Sequence, residues 1–189
     1  MMINLEGLIQ FVSPFYTNKD IMHNLSHIER MIDCADMLIQ EYELHADKDI
    51  ITYGSYFHGF IYREEPLIKS YLQEEGLSEE CIERILTASW ESQKDEEAKT
   101  IEGIILHDAH LIEGGRTFLI VKSLVTGTAR GQSLDETIAY LENNILGKSR
   151  CYYPLAQVLY GEKEEYAREF IKELRVGLST HNVKGKEFK

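Results

Sequence analysis

The chain has 189 residues and carries 32 acidic against 20 basic side chains, a formal charge of −12. Such a surface repels a phosphate backbone and releases no counterions from it, so duplex nucleic acid is excluded as a main partner. With 43% hydrophobic residues, the length suits one domain whose core needs neither disulfides nor a metal as a staple.

Three cysteines, Cys34, Cys81 and Cys151, are widely spaced and form no Cys-x-x-Cys. That usage fits a reducing compartment. The start Met1-Met2-Ile3-Asn4 lacks a basic leader, and no apolar run approaches the roughly 20 residues of a membrane span. A cytoplasmic protein with no membrane partner is therefore expected.

Apolar residues recur at three-and-four spacing far more often than they alternate, and only Pro14, Pro66 and Pro154 interrupt them. The fold class this predicts is all-α, a single helical bundle of about eight helices over residues 1–180 with a polar tail from His181 to Lys189. A first helix is expected over Leu5 to Val12, ending at Ser13-Pro14, because the residue before proline avoids helical angles. A second runs from about Asn24 to Tyr42, with Asn24 or Ser26 as its cap. A third covers Asp49 to Tyr62, Pro66 suits the first turn of a fourth, and Gly76 ends it. Ser78 opens a fifth that reaches Trp90, and a sixth carries Ile101 to Ile112 before Gly114-Gly115. Ser133 and Glu136 have the spacing of a capping box, which starts another helix that stops by Gly147. The last helix is expected over Glu162 to Leu178.

Helical spacing turns some polar side chains inward. His27 shares a stripe with Met31, Cys34 and Leu38, and His58 shares one with Ile51, Gly54 and Ile61. Asp108 falls on the apolar row of Ile101, Ile104, Ile105 and Ile112. A buried carboxylate costs several kcal/mol, roughly, unless it is paired or bound to a cation. Either histidine alone reads more simply as a hydrogen-bonded core residue. Two imidazoles and a carboxylate from three helices, however, are a donor set that packing could bring to one divalent ion.

The run His23-Asn24-Leu25-Ser26-His27-Ile28-Glu29-Arg30-Met31 resembles the opening motif of the HD-domain metal-dependent phosphohydrolases. Tyr56-Phe57-His58-Gly59-Phe60 stands where that family has its His-Asp dyad. Asp108-Ala109-His110-Leu111-Ile112-Glu113-Gly114 resembles its later aspartate run. The separations, 58 − 27 = 31 and 108 − 58 = 50, follow the family's order.

Two positions depart from the pattern. Gly59 replaces the dyad aspartate and His110 replaces the second aspartate of the later run. The resemblance implies a divalent ion held by His27, His58 and Asp108, with Mg, Mn, Fe, Ni and Zn all open. His107, His110, Glu64, Glu65 or Glu113 could stand in for the lost ligand. A second register would use the literal His107-Asp108 as the dyad, with His58 first and Asp135 last. It leaves the His23 to Arg30 motif unused and takes Asp135 from the first turn of a capped helix, where an acid already faces the helix dipole.

On this resemblance the expected activity is hydrolysis of a nucleotide or other small phosphorylated metabolite. His23 is then the catalytic proton relay, and Lys122 and Arg130 the substrate-binding contacts to phosphate. The alternative is a catalytically degenerate relative that binds a ligand or metal. A helical bundle unrelated to that family is the third reading.

Overall fold

The computed structural model describes residues 3–179. Among them are nine α-helices and no strand: α1 (Leu5–Tyr16), α2 (Leu25–Glu41), α3 (Lys48–Phe57), α4 (Ile61–Glu74), α5 (Glu79–Glu91), α6 (Ile101–Ile112), α7 (Phe118–Ala129), α8 (Leu134–Asn144) and α9 (Pro154–Ser179). The tail expected from His181 onward lies outside the described residues. No helix in the described range is long and apolar enough to cross a membrane.

Most predicted starts coincide with a side-chain cap. Asn24 accepts from Ser26 N, Asp47 from Asp49 N and Ile50 N, Ser78 from Cys81 N, and Thr100 from Gly103 N. Ser133 and Glu136 form the complete capping box. Each of these side chains satisfies an amide that the first helical turn leaves free.

Four expectations need correction. α1 does not stop at Ser13 but runs through Pro14 to Tyr16. Leu8, Val12 and Tyr16 lie one turn apart on its buried face, and the Tyr16 hydroxyl donates to Tyr56 O at 2.8 Å, so tertiary anchoring outweighs the lost amide bond. α3 ends at Phe57 rather than Tyr62, and the turn at His58-Gly59-Phe60 precedes α4. Glu64 is non-helical (φ −124°, ψ 21°), so Pro66 does sit in the first turn of the regular part of α4.

α7 has no counterpart among the predicted elements, because Phe118 to Ala129 has little polar face to give it a period. α9 starts at Pro154, eight residues before the predicted Glu162. Its first turn is proline-initiated, and the amides just ahead of it find an unexpected acceptor in Asp108.

The main core unites α1 to α6 around Leu8, Ile28, Met31, Phe57, Phe60, Leu72, Ile85 and Leu106. A second cluster of Leu38, Leu111, Ile112, Ala156 and Tyr160 docks α9. A third joins α7, α8 and the far half of α9. A Cβ at Gly54 would lie 2.7 Å from Leu106 Cδ1, so a side chain there would have to displace Leu106 where α3 meets α6.

Asp108 is fully buried, as the apolar row implied, but it lies outside the histidine cluster. Its carboxylate accepts the amides of Tyr152 at 2.9 Å and Tyr153 at 2.8 Å, and so caps the entry to α9. Asp108→Ala would strand those buried donors. It should lower unfolding stability by about 2–4 kcal/mol, the cost of losing charge-assisted bonds in the interior. Urea denaturation measures the loss. A variant as stable as the parent contradicts the capping role.

Candidate metal centre

Histidines from three elements meet at one end of the main core. His27 is in the first turn of α2, His58 is the residue that closes α3, and His110 is near the end of α6. One donor nitrogen from each lies within 4.8 Å of the other two. Ring centroids are 4.3 Å apart for His58 and His110, 5.5 Å for His27 and His58, and 5.6 Å for His27 and His110.

Two rings are held by polar neighbours at Nδ1. Ser92 Oγ, which donates to Ser89 O at 2.6 Å, lies 2.7 Å from His58 Nδ1, and Gln93 Nε2 lies 3.1 Å from the same nitrogen. Gln93 Nε2 donates to His58 O at 2.8 Å and steadies the same turn. His27 Nδ1 lies 2.7 Å from Glu113 Oε1, near enough for a charge-assisted contact though out of line for a full hydrogen bond. A carboxylate only accepts, so the hydrogen belongs on Nδ1. In His27, Nε2 then keeps its lone pair.

Burial is the leading cause that lowers the pKa of all three imidazoles, and those of His58 and His110 fall well below 6.5. His110 Nδ1 is buried with no hydrogen-bond partner. Three neutral imidazoles with an unsatisfied nitrogen among them form a donor set that fits a divalent ion.

Glu113 supports the centre without joining it. Burial raises its pKa, but His27 and Lys122 outweigh that and bring it down to about 2. Lys122 Nζ is 3.0 Å from Oε1 and Arg30 Nε 3.2 Å from Oε2. The backbone carbonyls of Leu111 and Glu113 each accept from the buried Lys163 at 2.6 Å. A carboxylate behind a ligating histidine fixes ring orientation and tautomer.

Several sequence candidates move. Asp108 is not in the cluster, since it faces Tyr152 and Tyr153. His107 is not either: its ring packs on that of Tyr152, 5.1 Å between centroids, and its Nδ1 is 3.2 Å from Asp108 Oδ1. His110, named only as a substitute, takes the place expected for Asp108. Two residues along a helix is a rotation of about 200°, so Asp108 and His110 look to opposite sides of α6. Both sides are covered, and stripe reasoning cannot choose between them. Glu65 accepts from the Trp90 indole at 2.6 Å, and Glu64 is outside the cluster.

His23 stands beside the centre, its ring 6.2 Å from that of His27 and its Nδ1 2.9 Å from both oxygens of Asp20. Lys19 belongs to no motif or apolar stripe. A Cβ at Gly59 would lie 2.6 Å from Lys19 Nζ and 2.7 Å from the Tyr16 hydroxyl, so these groups fill the space where the dyad carboxylate would emerge. Lys19 donates to Gly59 O at 2.6 Å, and Gly59 N donates to the Tyr16 hydroxyl at 3.2 Å.

The histidines open onto a cavity of about 590 Å³ that Lys122, Arg130, Phe118, Tyr62 and Tyr140 also line. Its charged walls hold Lys19, Lys94, Lys122, Arg130 and Lys163 against Asp20, Asp95 and Glu113, five cations to three anions. The cavity is locally basic in an acidic protein.

Neither a protein-family model nor a curated protein matches the sequence. Solved structures do. Bacillus subtilis YpgQ in complex with ADP aligns over 96% of this chain and 99% of its own, at 18% identity and a TM-score of 0.68. An HD-superfamily hydrolase from Bacillus thuringiensis covers 93% and 96% at 17% identity, TM-score 0.68. A protein from Lactobacillus plantarum reaches a TM-score of 0.76 at 12% identity, over 95% and 100%. The chain has the HD-domain fold.

Two outcomes test the site. Glu113→Gln should weaken binding of a divalent ion by about 10- to 100-fold, the usual effect of removing a carboxylate behind a histidine ligand; calorimetric titration measures it, and unchanged affinity contradicts the supporting role. The second concerns acid. Because the three imidazoles have lowered pKa values in the folded chain, the unfolded chain takes up protons first as pH falls. Their stabilisation is therefore complete above pH 6.5 and lost below it. Urea midpoints of chelator-treated protein should fall between about pH 7.5 and about pH 5, and a midpoint that rises on acidification contradicts the burial of neutral rings.

Proposed function

We propose that this chain is a hydrolase that uses a divalent ion held by His27, His58 and His110 to cleave a phosphoester or phosphoanhydride of a small metabolite, with a nucleotide as the favoured class. The observation that carries this reading is the convergence of three neutral imidazoles in a cavity whose charged lining is net positive. The ADP held by YpgQ, which shares the fold, supports a nucleotide of similar size.

When bound, the ion supplies Lewis-acid activation of water and of a phosphoryl oxygen. The chain's own groups do the rest. Lys122 and Arg130 contribute positive charge to bind phosphate oxygens, and Lys19 adds a third cation to the lining. Phe118, Tyr62 and Tyr140 offer faces for the organic part of the substrate.

His23 moves the proton. Asp20 accepts from its Nδ1, which leaves Nε2 free to take a proton from water and return it to the leaving group. Burial and the charge of Lys122 lower the pKa of His23, so it waits in the neutral, proton-accepting form.

A second reading has its own observation. Gly59 with Lys19 beside it removes the dyad carboxylate, as a relative that binds ligand without turnover would allow. Assay of the ion-loaded protein on nucleoside di- and triphosphates separates the two. The hydrolase releases phosphate or pyrophosphate, and a chelator abolishes the release. Under the hydrolase reading, His23→Asn should bind the ion normally and lower kcat by about 10²- to 10⁴-fold. Stoichiometric ion with no turnover of any phosphoester favours the binding protein.

A further inference from the structure

The ligand set differs in chemical hardness from one that includes carboxylates, and this has a consequence for which ion enters. We propose that the His27, His58 and His110 centre takes a single borderline ion of the zinc class, such as zinc, cobalt or nickel, and discriminates against magnesium. This rests on the reading of the cavity as an ion-dependent site, but not on the reaction it performs.

All three donors are imidazole nitrogens, which suit borderline transition ions, whereas magnesium and manganese prefer carboxylate and water oxygen. Three carboxylates nearby are engaged elsewhere. Glu113 lies against His27 Nδ1, Arg30 and Lys122. Asp20 accepts from His23 and from the Met22 amide. Asp108 looks to the other side of α6 and accepts the Tyr152 and Tyr153 amides.

The flank beside Gly59 is closed to a hard donor as well. Residue 59 has no side chain, and the adjacent space holds the Lys19 ammonium, tied to Gly59 O at 2.6 Å. An ammonium there repels a second cation, so one ion is expected. Three protein nitrogens with a position left for water match the make-up of a catalytic zinc site rather than a closed structural one. Ser92 behind His58 and Glu113 behind His27 hold two of the rings in place before any ion arrives.

Cobalt(II) reports the outcome by its visible absorption, which is intense at low coordination number with nitrogen donors and weak in an octahedral oxygen site. Chelator-treated full-length protein is titrated with cobalt, and zinc, manganese or magnesium is then added. The proposal expects an intense band that saturates at one equivalent, disappears with one equivalent of zinc and survives millimolar magnesium. It expects His58→Ala to lose the band, and His110→Asp, which restores an oxygen donor, to weaken the band and gain affinity for manganese.

Displacement of cobalt by magnesium as readily as by zinc overturns the proposal, as does a parent protein with no band, or saturation at two equivalents. Circular dichroism of each variant shows whether a lost band reflects a lost fold, and the parent titration decides the matter without the variants. A one-equivalent zinc-class centre that hydrolyses no phosphoester supports the ion assignment and overturns only the hydrolase. Phosphoester hydrolysis driven by magnesium alone does the reverse.

Discussion

One buried carboxylate ties together the helices that carry the site. Glu113, 1% exposed, follows the last turn of α6 and meets His27 and Arg30 from α2 and Lys122 from α7, while its own carbonyl takes the ammonium of Lys163 from α9. An ionised carboxylate in that position would be costly by itself, and its cationic partners offset the cost through charge-assisted contacts. The arrangement holds only when α2, α6, α7 and α9 are all in place. Site geometry and helix packing are therefore one requirement: whatever loosens Glu113 also frees the ring of His27.

α6 shows how a helix buried nearly all round can serve two purposes. On one side Asp108 caps the entry to α9, and on the other His110 joins His27 and His58. The carboxylate looked like the ligand because it was the costly group on an apolar row, and cost is what a ligand role would explain. Backbone amides explain it equally well. Two bonds from Tyr152 and Tyr153 satisfy the charge, and the imidazole two residues on is left as the donor.

Electrostatics divide the molecule into an acidic exterior and a basic cavity. A formal charge of −12 argued against nucleic acid, and that argument concerns the whole surface. The cavity gathers Lys19, Lys122 and Arg130 around the histidines, so a small anion meets the opposite field at the one place where the chemistry is concentrated. Lys19 sharpens the contrast, since it occupies the space that a carboxylate at residue 59 would have used.

The fold class, the capped helix starts and the inward faces of His27 and His58 were legible in the sequence, because each depends on neighbours within a turn or two. Asn24, Ser78 and Ser133 cap helices through amides two or three residues away, and a helix that is polar on one side shows which face it buries. Three matters depended on contacts between segments distant in sequence, and so belonged to the tertiary structure. The side of α6 that faces the centre depends on what packs against each side, as Tyr152 does, 44 residues after Asp108. The passage of α1 through Pro14 depends on Tyr16 reaching Tyr56, and the filling of the space at Gly59 depends on Lys19, 40 residues before it. Local periodicity has no access to such distances, which is why the sequence left His110 as one of several stand-ins and only the fold set it beside His27 and His58.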